Sequence, residues 1–203
     1  ETGAWLPEGR EGELCFSGPS VTPGYYDNPE ATASCFKGPW LHTGDLGYVL
    51  DGSVYVTGRL KDLIILNGRN LHPQSIEWTI QDLDGVRKGN VVAFSVPGDD
   101  TELVVVALER RADYTGTDLP ERVRETLSRE MSVPVADVVV LDPGLLPKTS
   151  SGKLQRRKAR QLYLAGEIGA HGPRTQGSNA SKITLAKHLA RSAWARMKNS
   201  VKS

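Results

Sequence analysis

The chain has no apolar run approaching the roughly 20 residues that a bilayer span requires, so it offers no candidate for a transmembrane helix. Cysteine is scarce, with only Cys15 and Cys35. Their spacing fits neither a metal-ligand pattern nor a disulfide framework. Both are expected to be reduced packing residues, which points to the cytoplasm. The first residues, Glu-Thr-Gly-Ala-Trp, contain neither an initiator methionine nor a signal peptide, so a piece of a longer protein is expected. Acidic residues are missing from one region. From Ile168 to the end there are seven Lys or Arg and no Asp or Glu. Removing those seven from the 25 basic residues leaves 18 against 24 acidic ones, a balance of −6. A basic tail on a mildly acidic body suggests a separate role for the tail.

The rest of the composition is that of a globular protein, 38% hydrophobic and 24% charged. Its 203 residues suffice for one full domain, or for a small domain plus part of another. Residues 11–17 form a strand candidate closed by Gly18-Pro19, and Asn28-Pro29 opens a short helix that ends near Gly38. Asp51-Gly52 joins strands 48–50 and 54–57 as a hairpin. The segment Gly58 to Glu77 then passes from charge (Arg59, Lys61, Asp62) through the apolar residues Leu63 to Leu66 into an Asn67-Gly68 turn. Both turn residues tolerate positive φ.

Beyond that segment the spacing predicts a helix over 73–83, strands over 90–96 and 102–108 with a turn at 97–100, and a helix over 119–131 capped by Asp118. A strand over 135–141, a polar loop over 147–153 and a helix over 154–164 follow, the last with Arg156, Arg157, Lys158 and Arg160 exposed. This order describes an α+β domain with a small mixed β-sheet. Residues 171–181 are linker-like, and Ser181 can cap a basic amphipathic helix.

Three loops could carry chemistry. In Pro147-Lys148-Thr149-Ser150-Ser151-Gly152-Lys153, backbone N–H groups, hydroxyls and lysines can approach an anion. Taken alone it reads first as a solvated surface loop, and it lacks the first glycine of a phosphate-binding P-loop. Thr43-Gly44-Asp45 places a carboxylate on a loop, able to accept from two vicinal hydroxyls or from its own backbone. Arg59-Leu60-Lys61-Asp62 is a charged cluster. His42 and His72 are too far apart in sequence to argue for a metal, and none is expected.

In one order and spacing, these loops resemble the adenylate-forming superfamily. The residues that carry the resemblance are Gly12-Glu13-Leu14, Gly18-Pro19-Ser20-Val21, Gly24-Tyr25, Pro29-Glu30-Ala31-Thr32, Thr43-Gly44-Asp45-Leu46-Gly47, Gly58-Arg59-x-Lys61-Asp62 and Pro147-Lys148-Thr149-x-Ser151-Gly152-Lys153. The resemblance covers about residues 8 to 167. Gly68-Arg69-Asn70-x-His72-Pro73-Gln74 looks like the fatty acyl-AMP ligase branch.

The resemblance implies the β-rich end of a large N-terminal domain over 1–58, a mobile C-terminal domain over 59–167, a linker over 168–180 and a basic helical tail over 181–203. It also implies residue roles. Asp45 would hold the ribose hydroxyls of the adenylate, and Arg59 would make a second ribose or phosphate contact. Lys153 would be catalytic, bridging the substrate carboxylate and the α-phosphate. Lys61 would be the hinge, and Gly68 would line the path of a phosphopantetheine arm by leaving out a side chain.

The implied reaction joins a fatty acid to AMP from ATP, releases pyrophosphate, and passes the acyl group to an acyl carrier protein. The runner-up is a fatty acyl-CoA ligase using CoA. A third possibility, of another class, is a non-catalytic interaction module, against which intact Asp45, Arg59 and Lys153 argue. ATP would come with Mg2+, whose site is expected upstream of residue 1 together with the phosphate loop and acyl tunnel, so this fragment alone is expected to be inactive. The tail has one aromatic, Trp194, and no nucleic-acid-binding pattern; it reads as a solvated extension, or as a helix able to contact an acidic carrier protein or an anionic membrane surface.

Overall fold

The computed structural model describes residues 4–99 and 101–170. The linker from residue 171 onward and the basic helix expected over 181–203 lie outside the described residues. The chain divides between Leu63 and Ile64 into two units. The boundary expected from the sequence falls after Gly58, the last buried position of the preceding strand.

The first unit is built on one long strand, β3 (Trp40–Leu50). It pairs antiparallel with β1 (Gly12–Phe16) and with the two-residue β2 (Phe36–Lys37). β4 (Ser53–Arg59) pairs with it through the Asp51-Gly52 turn, both of whose residues have positive φ. Helix α1 (Pro29–Cys35) starts as the sequence predicts, with Asn28 Oδ1 accepting from the Ala31 amide at 3.0 Å. Among the described residues of this unit only Leu46, Gly47 and Gly58 are buried. Val54, Tyr55 and Val56 are exposed along β4, so this sheet lacks a core of its own. Gly47 is required at its position, since a Cβ there would collide with the carbonyl oxygen of Tyr55.

The second unit opens with the hairpin β5 (Ile64–Leu66) and β6 (Arg69–Leu71), joined by Asn67 and Gly68 at φ 50° and 76°. Helix α2 (Pro73–Ile80) leads to β7 (Val86–Pro97) and β8 (Glu102–Arg110), which pair antiparallel. Helix α3 (Leu119–Met131) crosses over to β9 (Val135–Leu141), which lies parallel to β8. The sheet is therefore mixed, as the sequence order implies. Its residues alternate between two cores. Val91, Ala93, Val104 and Val106 pack with α2 and α3 residues such as Ile76, Ile80, Val123 and Leu127. Val92, Phe94, Val105 and Ala107 pack with Ala159 and Tyr163 of α4 (Arg156–Leu164) on the other face.

Several local expectations are corrected. Asp45 sits inside β3 rather than on a loop, because the register with β4 carries pairing through to Arg59. Helix α2 ends at Ile80, short of Leu83. Asp118 occupies the N-cap position of α3 but makes no capping bond. Its carboxylate accepts from the Tyr114 hydroxyl instead. Leu154 forms an antiparallel bridge with Lys148, so α4 starts at Arg156. Two of its four basic residues are only partly exposed and are tied to the fold, since Arg156 pairs with Glu77 and Arg160 donates to the Ser95 carbonyl at 2.8 Å.

Candidate active site

In the first unit, β3 and β4 bring Asp45 and Arg59 directly opposite one another. The Arg59 Nε lies 2.9 Å from Asp45 Oδ1. Both side chains reach solvent, Arg59 being 68% and Asp45 34% exposed. A carboxylate and a guanidinium thus stand together at a sheet surface, the first able to accept from hydroxyls and the second able to bind a phosphate oxygen. Asp45 is held from behind. Its amide donates to Thr43 Oγ1 at 3.0 Å, and the Thr43 hydroxyl donates to the Leu14 carbonyl at 2.8 Å. The exposed Lys61 lies in a single 3₁₀ turn, Leu60–Asp62, that follows β4 directly.

In the second unit, Lys153 is exposed at the end of a tightly folded loop between β9 and α4. Its amide donates to Thr149 Oγ1 at 3.0 Å, and its carbonyl accepts from the Thr149 amide at 2.8 Å. Gly152, at φ 83°, donates to the Thr149 carbonyl at 2.9 Å and closes the turn. Of the conformations a turn this tight demands, the left-handed one at Gly152 costs glycine least.

Three polar anchors hold this loop, and sequence reasoning missed all of them. Fully buried Glu109 of β8 accepts from the Leu146 amide at 2.9 Å while pairing with Arg87 at 2.5 Å. Lys148 Nζ donates to Asn90 Oδ1 of β7 at 2.5 Å. On the far side, Arg156 Nη2 lies 2.8 and 3.0 Å from the two Glu77 carboxylate oxygens, and Glu77 Oε1 also accepts from the Ala93 amide at 2.9 Å. The one available signal was the charge of Glu77 and Glu109 inside otherwise apolar patterns, since a carboxylate at a core position demands a partner. Behind α4, Tyr163 donates to Asp137 Oδ2 at 2.9 Å, and burial together with that carboxylate pushes its phenol well above the ordinary range.

Gly68 lies on the β5–β6 turn, on a different element from Lys153. No atom lies within 4 Å of where its Cβ would be. Its need for glycine within the chain is therefore the positive φ of the turn, not a close approach by a neighbour.

One cluster was not foreseen. Cys15 of β1 stands opposite His42 of β3, and Glu13 joins them. Glu13 Oε2 lies 2.7 Å from His42 Nδ1, and Glu13 Oε1 accepts from the Gly44 amide at 3.0 Å. Burial works to raise the Glu13 carboxyl, but the His42 and Gly44 hydrogen bonds outweigh it and hold the group below the usual carboxylate range. Burial, and then the Glu13 charge, push the Cys15 thiol up. A thiol and an imidazole are soft donors that do not suit Mg2+, so this cluster is not a site for the Mg2+ that accompanies ATP.

No family model matches the chain. Over 176 residues it is 45% identical to a putative acyl-CoA synthetase of Caulobacter vibrioides, an alignment covering 83% of this chain and 30% of the relative. It is 38% identical over 183 residues to the long-chain-fatty-acid–AMP ligase FadD26 of Mycobacterium tuberculosis, covering 80% of this chain and 31% of that protein. The structure of McyG A-PCP complexed with phenylalanyl-adenylate superposes with a TM-score of 0.74 at 34% identity, covering 81% of this chain and 30% of that one. The chain thus spans less than a third of the length of these relatives. The shared mixed-sheet fold and these identities agree: the chain belongs to the adenylate-forming superfamily, with its fatty acyl-AMP ligase branch among its relatives.

Proposed function

We propose that the protein of which this chain is part activates a fatty acid with ATP and transfers the acyl group to the phosphopantetheine thiol of an acyl carrier protein. In the first half-reaction a carboxylate oxygen attacks the α-phosphorus, the bond to the β-phosphate oxygen breaks, and pyrophosphate leaves. In the second, the thiolate attacks the acyl carbon and AMP leaves. The observation that carries this reading is the presentation of Lys153, a solvated cation on a loop tied down at Leu146, Lys148 and Arg156. Two anions must meet for adenylation, and a cation already held in place lowers the cost of that encounter.

In this reading Asp45 and Arg59 bind the ribose and its phosphate, and Lys61 is the hinge. Gly68 lies beside the path of the pantetheine arm. Residues 1–58 pack within a larger domain, which agrees with the near absence of buried side chains in the first unit. Residues 59–167 form the mobile domain. Mg2+ and most of the ATP and acyl contacts lie in that larger domain, so the 203-residue chain alone is inactive. The free thiols of Cys15 and Cys35 fit a cytoplasmic protein. Among the described residues no helix is long and apolar enough to cross a membrane. The basic tail 181–203 is proposed to touch the acidic carrier protein or an anionic membrane surface.

Pyrophosphate exchange into ATP with a fatty acid tests the first half. The full-length protein should exchange and the 203-residue chain should not. Exchange by the isolated chain would overturn its assigned dependence on the larger domain.

The 45% identity to a putative acyl-CoA synthetase favours one second reading, with CoA as acceptor. Offering CoA and holo carrier protein in competition, and measuring which is acylated, separates the two.

A further inference from the structure

We propose that Glu13, Cys15 and His42 form a binding site for one Zn2+ ion. The proposal is independent of the function given above. All three residues lie on paired strands, Glu13 and Cys15 on β1 and His42 on β3, so the sheet rather than a loop sets their positions. One donor atom from each lies within 4.8 Å of the other two. Cys15 Sγ is 3.6 Å from His42 Nδ1. That matches the edge of a tetrahedron built from Zn–S and Zn–N bonds of about 2.3 and 2.0–2.1 Å. Glu13 Oε2 and His42 Nδ1, at 2.7 Å, share a hydrogen bond. Opening that pair by less than about 1 Å, replacing its proton with the ion, and seating Cys15 Sγ and Glu13 Oε2, which lie within 4.8 Å of one another, at about 3.5 Å completes a three-donor set at ordinary zinc distances.

The donors also fit in kind. Thiolate, imidazole and carboxylate together favour Zn2+ over the oxygen-seeking Mg2+ and Ca2+. Two anionic donors would neutralise the charge of the ion. Glu13 needs only one oxygen for the metal, because Oε1 is already taken by the Gly44 amide at 3.0 Å. That bond fixes the carboxylate as outer-shell partners do at zinc sites. With His42 22% and Glu13 26% exposed, water can supply the fourth donor. On binding, the Cys15 thiol proton passes to solvent and the imidazole keeps its remaining proton on Nε2. The same cluster is not arranged for nucleophilic catalysis, because Glu13 and Cys15 both face Nδ1 and no proton can be relayed across the ring.

The test uses the full-length protein, in which the first unit has its packing partners, titrated with Zn2+ by calorimetry and with Cd2+ while the ultraviolet charge-transfer absorbance of a cadmium–thiolate bond is followed. One ion per chain is expected, with the band present. Cys15→Ser should lose the band, and Cys35→Ser should keep it. Glu13→Gln and His42→Gln, shape-conserving changes whose folding is checked by circular dichroism, should each weaken Zn2+ binding at least about tenfold. Failure of the unaltered chain to bind, or undiminished binding by Cys15→Ser, would overturn the proposal. So would loss of the band in Cys35→Ser.

Discussion

Glu77 on α2 and Arg156 at the start of α4 form a two-oxygen ion pair, 2.8 and 3.0 Å long, between residues 79 positions apart in the chain. Both side chains are mostly buried, at 16% and 19% exposure. Because Glu77 also accepts from the Ala93 amide of β7, one carboxylate joins two helices and the central sheet. Arg156 follows Lys153 by less than one helical turn, so this junction fixes the far end of the loop that presents Lys153.

Removing one partner of that junction leaves the other desolvated without its charge. Glu77→Ala is therefore expected to cost about 2–4 kcal/mol. Urea denaturation measures it, and a double-mutant cycle with Arg156→Ala should show coupling above about 1 kcal/mol. Additive single effects would mean that the pair contributes only packing.

In the full-length protein, Lys153→Ala should lower the rate of adenylation by at least about 10²-fold, the usual loss when one preorganised electrostatic donor is removed. Acyl transfer from preformed acyl-adenylate to the thiol should change little. Equal loss in both half-reactions would remove the role assigned to this lysine.

Glu109→Ala should act on the same loop from its other end. It strips the Leu146 amide of its acceptor inside the core, at an expected cost of about 1–3 kcal/mol. In the full-length protein the adenylation rate should fall while thiol transfer is preserved, as for Lys153→Ala but less severely. An unchanged adenylation rate would show that anchoring at Leu146 is dispensable.

The Tyr163 phenol is raised by burial and by Asp137, so the folded state holds its proton more tightly than the unfolded chain does. The resulting stabilisation is complete below the ordinary tyrosine value of about 10 and is lost as pH rises towards the folded value. A spectroscopic titration should find one of the six tyrosines silent until the chain unfolds. Tyr163→Phe should flatten the alkaline loss of stability while costing about 1 kcal/mol at neutral pH. An alkaline slope unchanged by the substitution would count against this account.

Gly47→Ala probes the first unit. A Cβ at this buried position meets the Tyr55 carbonyl oxygen, which belongs to backbone and cannot rotate away. Destabilisation of about 1–3 kcal/mol is expected, whereas Gly68→Ala, which meets no neighbour, should cost only about 1 kcal/mol for its positive φ. Thermal denaturation of both variants ranks them.

By itself the sequence determined the order of elements in the second unit, because turn residues and the periods of 2 and 3.6 act over a few neighbours. Asn67-Gly68, the alternating apolar residues of β7 and β8 and the stripe Leu119, Val123, Leu127 carry that information locally. Its motifs also singled out Asp45, Arg59 and Lys153 before any geometry was known, although not that Asp45 and Arg59 pair across two strands. Only the tertiary structure decided what holds these residues in place. Glu77 and Arg156 meet over 79 positions, Lys148 and Asn90 over 58, Glu109 and Leu146 over 37, and Cys15 and His42 over 27. Such meetings depend on strand register and on which helix covers which face, and neither is encoded in any short window. A buried carboxylate announces that it needs a partner, and only the packed chain selects which one.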